Sequence, residues 1–359
     1  MTWHCIGSIE NIPLPSGSRS YEGGDHFVEH NQMSAGCLEL QGSESGQRMS
    51  AIAQQFKIPN NRLLYKKRYP TGFSELDAVL NGGITAGLHC IGAISSLGKS
   101  TFVMQISDHN AKSNPVLVFS LEMKAVDLTA KAISRQMYID TGYSKSSDIL
   151  LSEQAAAEFS QSDWQSIARA ADIVAEAGAR ITIVEGGADP YSVEKVNNYV
   201  RGYIAAYKKR PVVIIDYLQI LEPPERLRCS TDKQAADYNL RQLKMLSDQY
   251  DLPIVLVSSF NRENYDMPVS FRSFKDSGNI EYSCDTVMGL QLRGVGTKNF
   301  NADEAKSKHP RELELKLLKQ KYGRAGATIP YRFYTRYSYF EEAPLKQPCP
   351  DGKEAPLRY

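Results

Sequence analysis

Gly87-Leu88-His89-Cys90-Ile91-Gly92-Ala93-Ile94-Ser95-Ser96-Leu97-Gly98-Lys99-Ser100-Thr101-Phe102-Val103-Met104-Gln105-Ile106 is the segment around which the chain is organised. An apolar segment comes first, then a loop of small residues, then Gly-Lys-Ser, then a helical pattern. That is the order strand, phosphate loop, helix. Small residues let backbone N–H groups wrap a polyphosphate, and a helix N-terminus adds partial positive charge. Lys99 has the reach for β- and γ-phosphates, and the Ser100 hydroxyl is the residue type that ligates Mg²⁺. The loop positions expected to cradle a nucleotide are Ala93, Ser95, Ser96, Gly98, Lys99, Ser100 and Thr101. Ala93 stands where the strict pattern asks for Gly, a looser match that keeps the position small. The bland alternative is a Gly-rich turn before an ordinary helix, but the flanking strand-like and helix-like segments are the context the motif requires.

Working outward, Pro115-Val116-Leu117-Val118-Phe119-Ser120-Leu121-Glu122-Met123 is a buried-strand run ending in a carboxylate. A Glu at the carboxyl end of a strand beside a phosphate loop can polarise the water that attacks a γ-phosphate. The alternative for Glu122 is an edge residue that caps the following helix. Pro211-Val212-Val213-Ile214-Ile215-Asp216-Tyr217-Leu218-Gln219 repeats the pattern, and a strand-end Asp of this kind holds Mg²⁺ directly or through water. These readings make ATP and Mg²⁺ the expected cofactors.

At 359 residues the chain holds one large domain or two modest ones, and 42% hydrophobic content is globular. The net charge of +1 announces no overall basic field, so nucleic-acid binding would come from local patches. Six cysteines are scattered without a CxxC and read as reduced thiols, pointing to a cytoplasmic protein. No basic segment followed by an apolar run opens the sequence, so no signal peptide is expected. No apolar run approaches membrane-spanning length, so no membrane partner is expected.

Residues 1–60 are expected to be a poorly structured arm, with a short amphipathic helix near 47–57. Within the arm, His26-Phe27-Val28-Glu29-His30 fits the pattern of inverted zinc peptidases, but Gly23-Gly24-Asp25 precedes it and no long helix surrounds it. Residues 61–342 read as the main α/β domain and 343–359 as a disordered tail. Residues 124–180 look helical throughout. Strands are expected at 181–184, 253–258, 286–292, 312–319 and 329–334, with helices at 192–207 and 238–250. Alternating strands and helices imply a mostly parallel, twisted sheet wrapped on both faces. Two polar loops leave neighbouring strands, one with Arg226, Arg228 and Lys233, the other with Arg262, Arg272 and Lys275. They are candidates for gripping a phosphate backbone, the alternative being a solvated surface.

From about Pro70 to Ala343 the chain resembles the ATPase domain of DnaB-type replicative helicases, a RecA-like P-loop NTPase core. The resemblance rests on Thr71-Gly72-Phe73 with Leu76-Asp77, Ala93 to Ser100, Phe119-Ser120-Leu121-Glu122-Met123 and Ile215-Asp216-Tyr217-Leu218-Gln219. Ser258 with Asn261-Arg262, Ser277-Gly278 with Ile280-Glu281, and Lys319-Gln320 with Gly323 complete it. It implies that Lys99 and Ser100 bind phosphate and Mg²⁺, that Glu122 activates water and that Asp216 coordinates the metal. Arg135 would be the basic residue that the family keeps near the nucleotide. Lys319 would reach across a subunit interface to a neighbour's γ-phosphate. The family works as a hexameric ring with ATP sites between subunits and single-stranded DNA held on central loops, so a homo-oligomer and replication partners such as primase or a loader are implied.

Departures from the family pattern accompany the resemblance. Ser259 stands where the family usually has a Gln thought to sense the γ-phosphate. The family's Lys-x-Arg reads Lys319-Gln320-Lys321, which keeps charge but loses the planar fork. Residues 1–60 are too short and polar to replace the family's helical N-terminal domain. The expectation is an ATP-hydrolysing, DNA-dependent motor of DnaB type acting in DNA replication. The alternative is an ATP-binding scaffold or loader that hydrolyses weakly and does not unwind processively. A recombination-type RecA relative is disfavoured by the Asp-Tyr-Leu-Gln and Phe-Ser-Leu-Glu-Met stretches.

Overall fold

The computed structural model describes residues 66–187, 191–223, 231–261, 265–275 and 279–343. The chain divides at Arg68, and the unit before it, Glu10–Lys67, lies outside the described residues except for Lys66 and Lys67. The expectations for the N-terminal arm, its 47–57 helix, the His26–His30 pattern and the tail after Ala343 fall outside them too, as do Arg226, Arg228, Arg262, Ser277 and Gly278.

Among the described residues, nine strands form one sheet: β1 (Gly87–Ala93), β2 (Val116–Ser120), β3 (Ile181–Glu185), β4 (Val212–Asp216), β5 (Pro253–Ser259), β6 (Thr286–Leu292), β7 (Arg311–Gln320), β8 (Thr328–Tyr334) and β9 (Tyr339–Glu342). Their order is β3-β2-β4-β5-β1-β6-β7-β8-β9. From β3 to β6 every pairing is parallel; β7, β8 and β9 add antiparallel. The parallel strands β1, β2, β4 and β6 are buried along their whole length, which is why they read as unbroken apolar runs instead of alternating ones.

The helices are α1 (Ser74–Val79), α2 (Lys99–Ala111), α3 (Ala125–Thr141), α4 (Gln161–Gly178), α5 (Val193–Tyr207) and α6 (Asp232–Tyr250), with short turns between some of them. The crossovers from β1 to β2 and from β2 to β3 run one way along the sheet, and those from β3 to β4, β5 and β6 run the other. Parallel crossovers are right-handed, so the two sets of helices cover opposite faces. The loops leaving β1 and β4 therefore diverge at the carboxyl edge and open a crevice there, where open α/β sheets bind ligands.

The stretch 124–180 is not one helical run. Gly142, at φ 71°, caps α3, and α4 opens on a capping box between Ser160 and Asp163. Apolar periodicity is blind to these breaks because caps are polar or glycine. Likewise α6 starts at Asp232, ahead of the expected Tyr238, because Thr231 caps it by accepting the Gln234 N–H. Strand β9 carries no sequence signal of its own, being only Tyr339–Glu342 with two acidic residues in it.

The aromatic core lies behind the phosphate loop. Phe73 stacks on Phe102 (4.8 Å), Tyr331 meets both edge-on, and Phe333 stacks on Phe340 (4.2 Å). Rings in these geometries add about 0.5–1.5 kcal/mol per pair beyond their buried area. The Thr71–Asp77 stretch serves this packing: Asp77 accepts from the Thr71 N–H (2.7 Å) and hydroxyl (2.8 Å), setting the turn that seats Phe73.

Candidate nucleotide site

The loop between β1 and α2 is pinned by Ile94 and Leu97, both buried, which leaves Ser95 and Ser96 outward-facing. Gly98 is the N-cap of α2 at φ 84°, ψ 28°. A Cβ there would lie 2.6 Å from Phe333, so both the backbone and the packing require glycine. Ser96 also has positive φ (64°), and its carbonyl accepts from Arg311 Nη1 at 2.7 Å. Arg311 Nε donates to the Lys306 carbonyl (2.5 Å), so this guanidinium clamps the loop from the start of β7.

Lys99 donates to the carbonyls of Ala93 (3.3 Å) and Ile94 (3.2 Å). Burial lowers its pKa, against the pull of Asp216 and Glu122. Ser100 faces the carboxyl of Asp216, a residue 6% exposed, and its hydroxyl acts to lower that carboxyl's pKa. Burial raises the Asp216 pKa; the Ser100 hydroxyl and the cations Lys99 and Lys131 oppose this, while Glu122 reinforces it. Sheet register explains how Glu122 joins them. Ser120 pairs with Asp216, and the Leu121 N–H donates to the Asp216 carbonyl (2.9 Å), so Glu122 emerges exposed beside it.

Lys131 of α3 completes the group and was not singled out in the sequence. It donates to Met123 Sδ (3.5 Å), burial lowers its pKa, and Asp216 and Glu122 act on it. Arg135 is the correction. It lies one helical turn further on, 3% exposed, and its guanidinium is taken up by Asp108 of α2 and the Ser338 carbonyl (2.9 Å). It braces α3 against α2 and is not brought to the phosphate loop. The available signal was the i, i+4 pair Lys131/Arg135 on one face of a helix that leaves the Glu122 strand. Only packing tells which of the two faces the loop.

The remaining expected residues divide between the edges of the sheet. Ala93 ends β1 and Thr101 is buried in the first turn of α2. Lys233 is exposed in the first turn of α6, and Arg272 and Lys275 are exposed on the loop after β5. Lys319 and Lys321 lie at the opposite edge. Lys319 donates to the Glu281 carbonyl (2.5 Å), and Lys321 pairs with Asp285 (3.0 Å). In register Lys319 is level with Cys90, about 10 Å along the sheet from Ala93 at about 3.3 Å per residue and two strands away, and both ammonium groups are engaged on the side away from the loop. Cys90 and Cys284 are free and buried, in keeping with reduced thiols.

The donor set suits a nucleotide–metal pair. Asp216 and Ser100 offer hard oxygens to Mg²⁺, which takes few protein ligands and completes its shell with water and phosphate. No cluster of three His, Cys, Asp or Glu side chains able to hold a metal exists among the described residues, so nothing suggests a metal bound by protein alone. No helix among them is long and apolar enough to cross a membrane.

A RecA-like P-loop NTPase core is the class that this sheet order and loop define. The family model described as DnaB-like helicase C terminal domain matches residues 69–342, and the chain belongs to that family. The Replicative DNA helicase DnaB of Helicobacter pylori is 26% identical over 322 residues, covering 81% of this chain and 62% of that protein. That of Geobacillus stearothermophilus is 25% identical over 279 residues, covering 76% and 56%. The chain thus spans about three fifths of the length of the curated relatives it matches. Among solved structures, one described as an ATPase domain superposes with a TM-score of 0.66 at 21% identity, covering 81% of this chain and 95% of that one. A DnaB-like replicative helicase, described with its interactions with primase, gives 0.65 at 22% identity, covering 83% and 67%.

Proposed function

We propose that this chain is an ATP-driven motor of DnaB type, which hydrolyses ATP with Mg²⁺ and moves on single-stranded DNA during replication. The observation that carries the reading is the convergence of Lys99, Ser100, Asp216, Glu122 and Lys131 at the carboxyl edge of the sheet. Lys99 exchanges its two carbonyl partners for phosphate oxygens. Ser100 and Asp216 would hold Mg²⁺, which when bound would supply charge neutralisation at the transferring phosphate. Glu122, exposed at the end of β2, accepts the proton of the attacking water. Lys131 neutralises the carboxylates and the charge that develops beside them.

Lys319 turns its ammonium away from its own loop to the Glu281 carbonyl, which supports a ring in which it serves a neighbour's site, six subunits being the family's number. Lys233, exposed in the helix after β4, and Arg272 and Lys275, exposed after the adjacent strand β5, are the cations that would meet DNA, and Arg226, Arg228 and Arg262 are further candidates from the sequence. Primase or a loader is the expected partner class, and the cytoplasm the expected compartment. A weakly hydrolysing scaffold is favoured by one observation, the ion pair that holds Lys321 on Asp285.

Anisotropy of a labelled oligonucleotide with an ATP analogue, followed by strand displacement with ATP, tests the proposal. Binding with displacement supports the motor, binding without displacement the scaffold, and no binding to DNA refutes both.

A further inference from the structure

The loop that follows β5 is fastened to the nucleotide site at its stem. The Phe260 N–H donates to the Ala93 carbonyl (3.1 Å), the same oxygen on which Lys99 rests. The rings of Phe260 and Phe274 meet edge to face over Gly92, where a Cβ would come within 2.4 Å of either ring. The stem closes on itself through Asn261 N–H to Ser273 O (2.8 Å) and Lys275 N–H to Ser259 O (2.9 Å).

A second fastening comes from the strand that carries Asp216. Gln219, three residues beyond it, spends its whole amide on the stem. Its Nε2 donates to Ser258 Oγ (3.0 Å) and the Lys275 carbonyl (3.3 Å), and its Oε1 accepts the Ser259 N–H (3.2 Å). A side chain that only ended a strand would need one such bond. This one joins both sides of the stem to the segment holding the metal-side carboxylate.

We infer that Gln219 is a positioning residue that couples the phosphate loop to the loop bearing Arg272 and Lys275. The inference rests on the proposed function for what that second loop binds. Phosphate draws Lys99 off the Ala93 carbonyl, which leaves Phe260 as its hydrogen-bond partner and shifts the stem. Load on Asp216 moves the turn at 218–220, and the Gln219 amide carries that movement to Lys275. The two inputs act on one stem, so the DNA-facing loop responds to the state of the nucleotide.

The test uses Gln219→Glu, which keeps the shape and the acceptor but removes both donors, with Gln219→Ala beside it. Affinity for a labelled oligothymidylate is measured with Mg²⁺ and a non-hydrolysable ATP analogue, then with ADP. Hydrogen exchange of the Ser259 and Lys275 amides is followed in the same nucleotide states without DNA. The wild type is expected to bind DNA more tightly with the analogue, and both variants to lose about fivefold or more of that ratio. Their nucleotide affinity and DNA-free turnover stay near wild type, and their stem amides no longer respond to the analogue. An undiminished affinity ratio, or an unchanged exchange response, in Gln219→Glu overturns the inference. If the wild type binds no DNA in either state, the proposed function fails, and exchange alone decides on Gln219: a response lost in the variant upholds the coupling, and a response retained overturns it.

Discussion

Asp285→Asn is expected to cost about 2.5 kcal/mol of stability at neutral pH. Asp285 begins the approach to β6, is 4% exposed, and accepts from the Leu88 N–H (3.0 Å), Lys244 (2.7 Å) and Lys321 (3.0 Å). Burial alone would raise its pKa, but the lysines and the backbone donor outweigh it and bring the carboxyl from 3.8 down to about 2. At about 1.4 kcal/mol per factor of ten in proton affinity, that difference is about 2.5 kcal/mol. Because the folded pKa is depressed, the unfolded chain binds more protons between about pH 2 and 4, so stability rises with pH there. The contribution is complete above about pH 4 and falls to about 1.3 kcal/mol at pH 3. Urea unfolding of wild type and variant between pH 3 and pH 7 measures it. A gap that stays constant with pH, or one below about 0.5 kcal/mol at pH 7, the range of ordinary surface substitutions, would refute the reasoning.

Glu122→Gln should bind ATP with near-normal affinity and turn over about a hundred- to ten-thousand-fold more slowly in single-turnover assays, the usual contribution of a positioned base. Gly98→Ala forces a side chain into the left-handed region and against Phe333. It should lower stability by about 1–3 kcal/mol and abolish nucleotide binding, as read by thermal unfolding and a fluorescent ATP titration. Arg272→Ala and Lys275→Ala should each weaken single-strand binding and reduce its salt slope by about 1, whereas an unchanged slope returns them to solvated surface.

What the sequence disclosed was local. Lys99, Ser100, Glu122 and Asp216 each sit at a strand end or helix start, where residue type and flanking pattern are written side by side. Contacts between distant segments were not legible. Arg311 clamps Ser96 across 215 residues of chain, and Gln219 reaches the stem only through the pairing of β4 with β5. A helical pattern shows only that Lys131 and Arg135 share a face; Asp108, which claims Arg135, lies on another helix. The breaks within 124–180 are not legible because apolar spacing continues across polar caps.

The proposed function requires the loop at 93–101, with Glu122 and Asp216, to be a hydrolytic ATP site coupled to DNA. ATP turnover by the purified chain, with and without single-stranded DNA and with Lys99→Ala as the control, tests it most directly. Mg²⁺-dependent turnover that DNA stimulates and that Lys99→Ala abolishes is the expected result. Turnover unchanged in Lys99→Ala, or absent from the wild type with and without DNA, would contradict it.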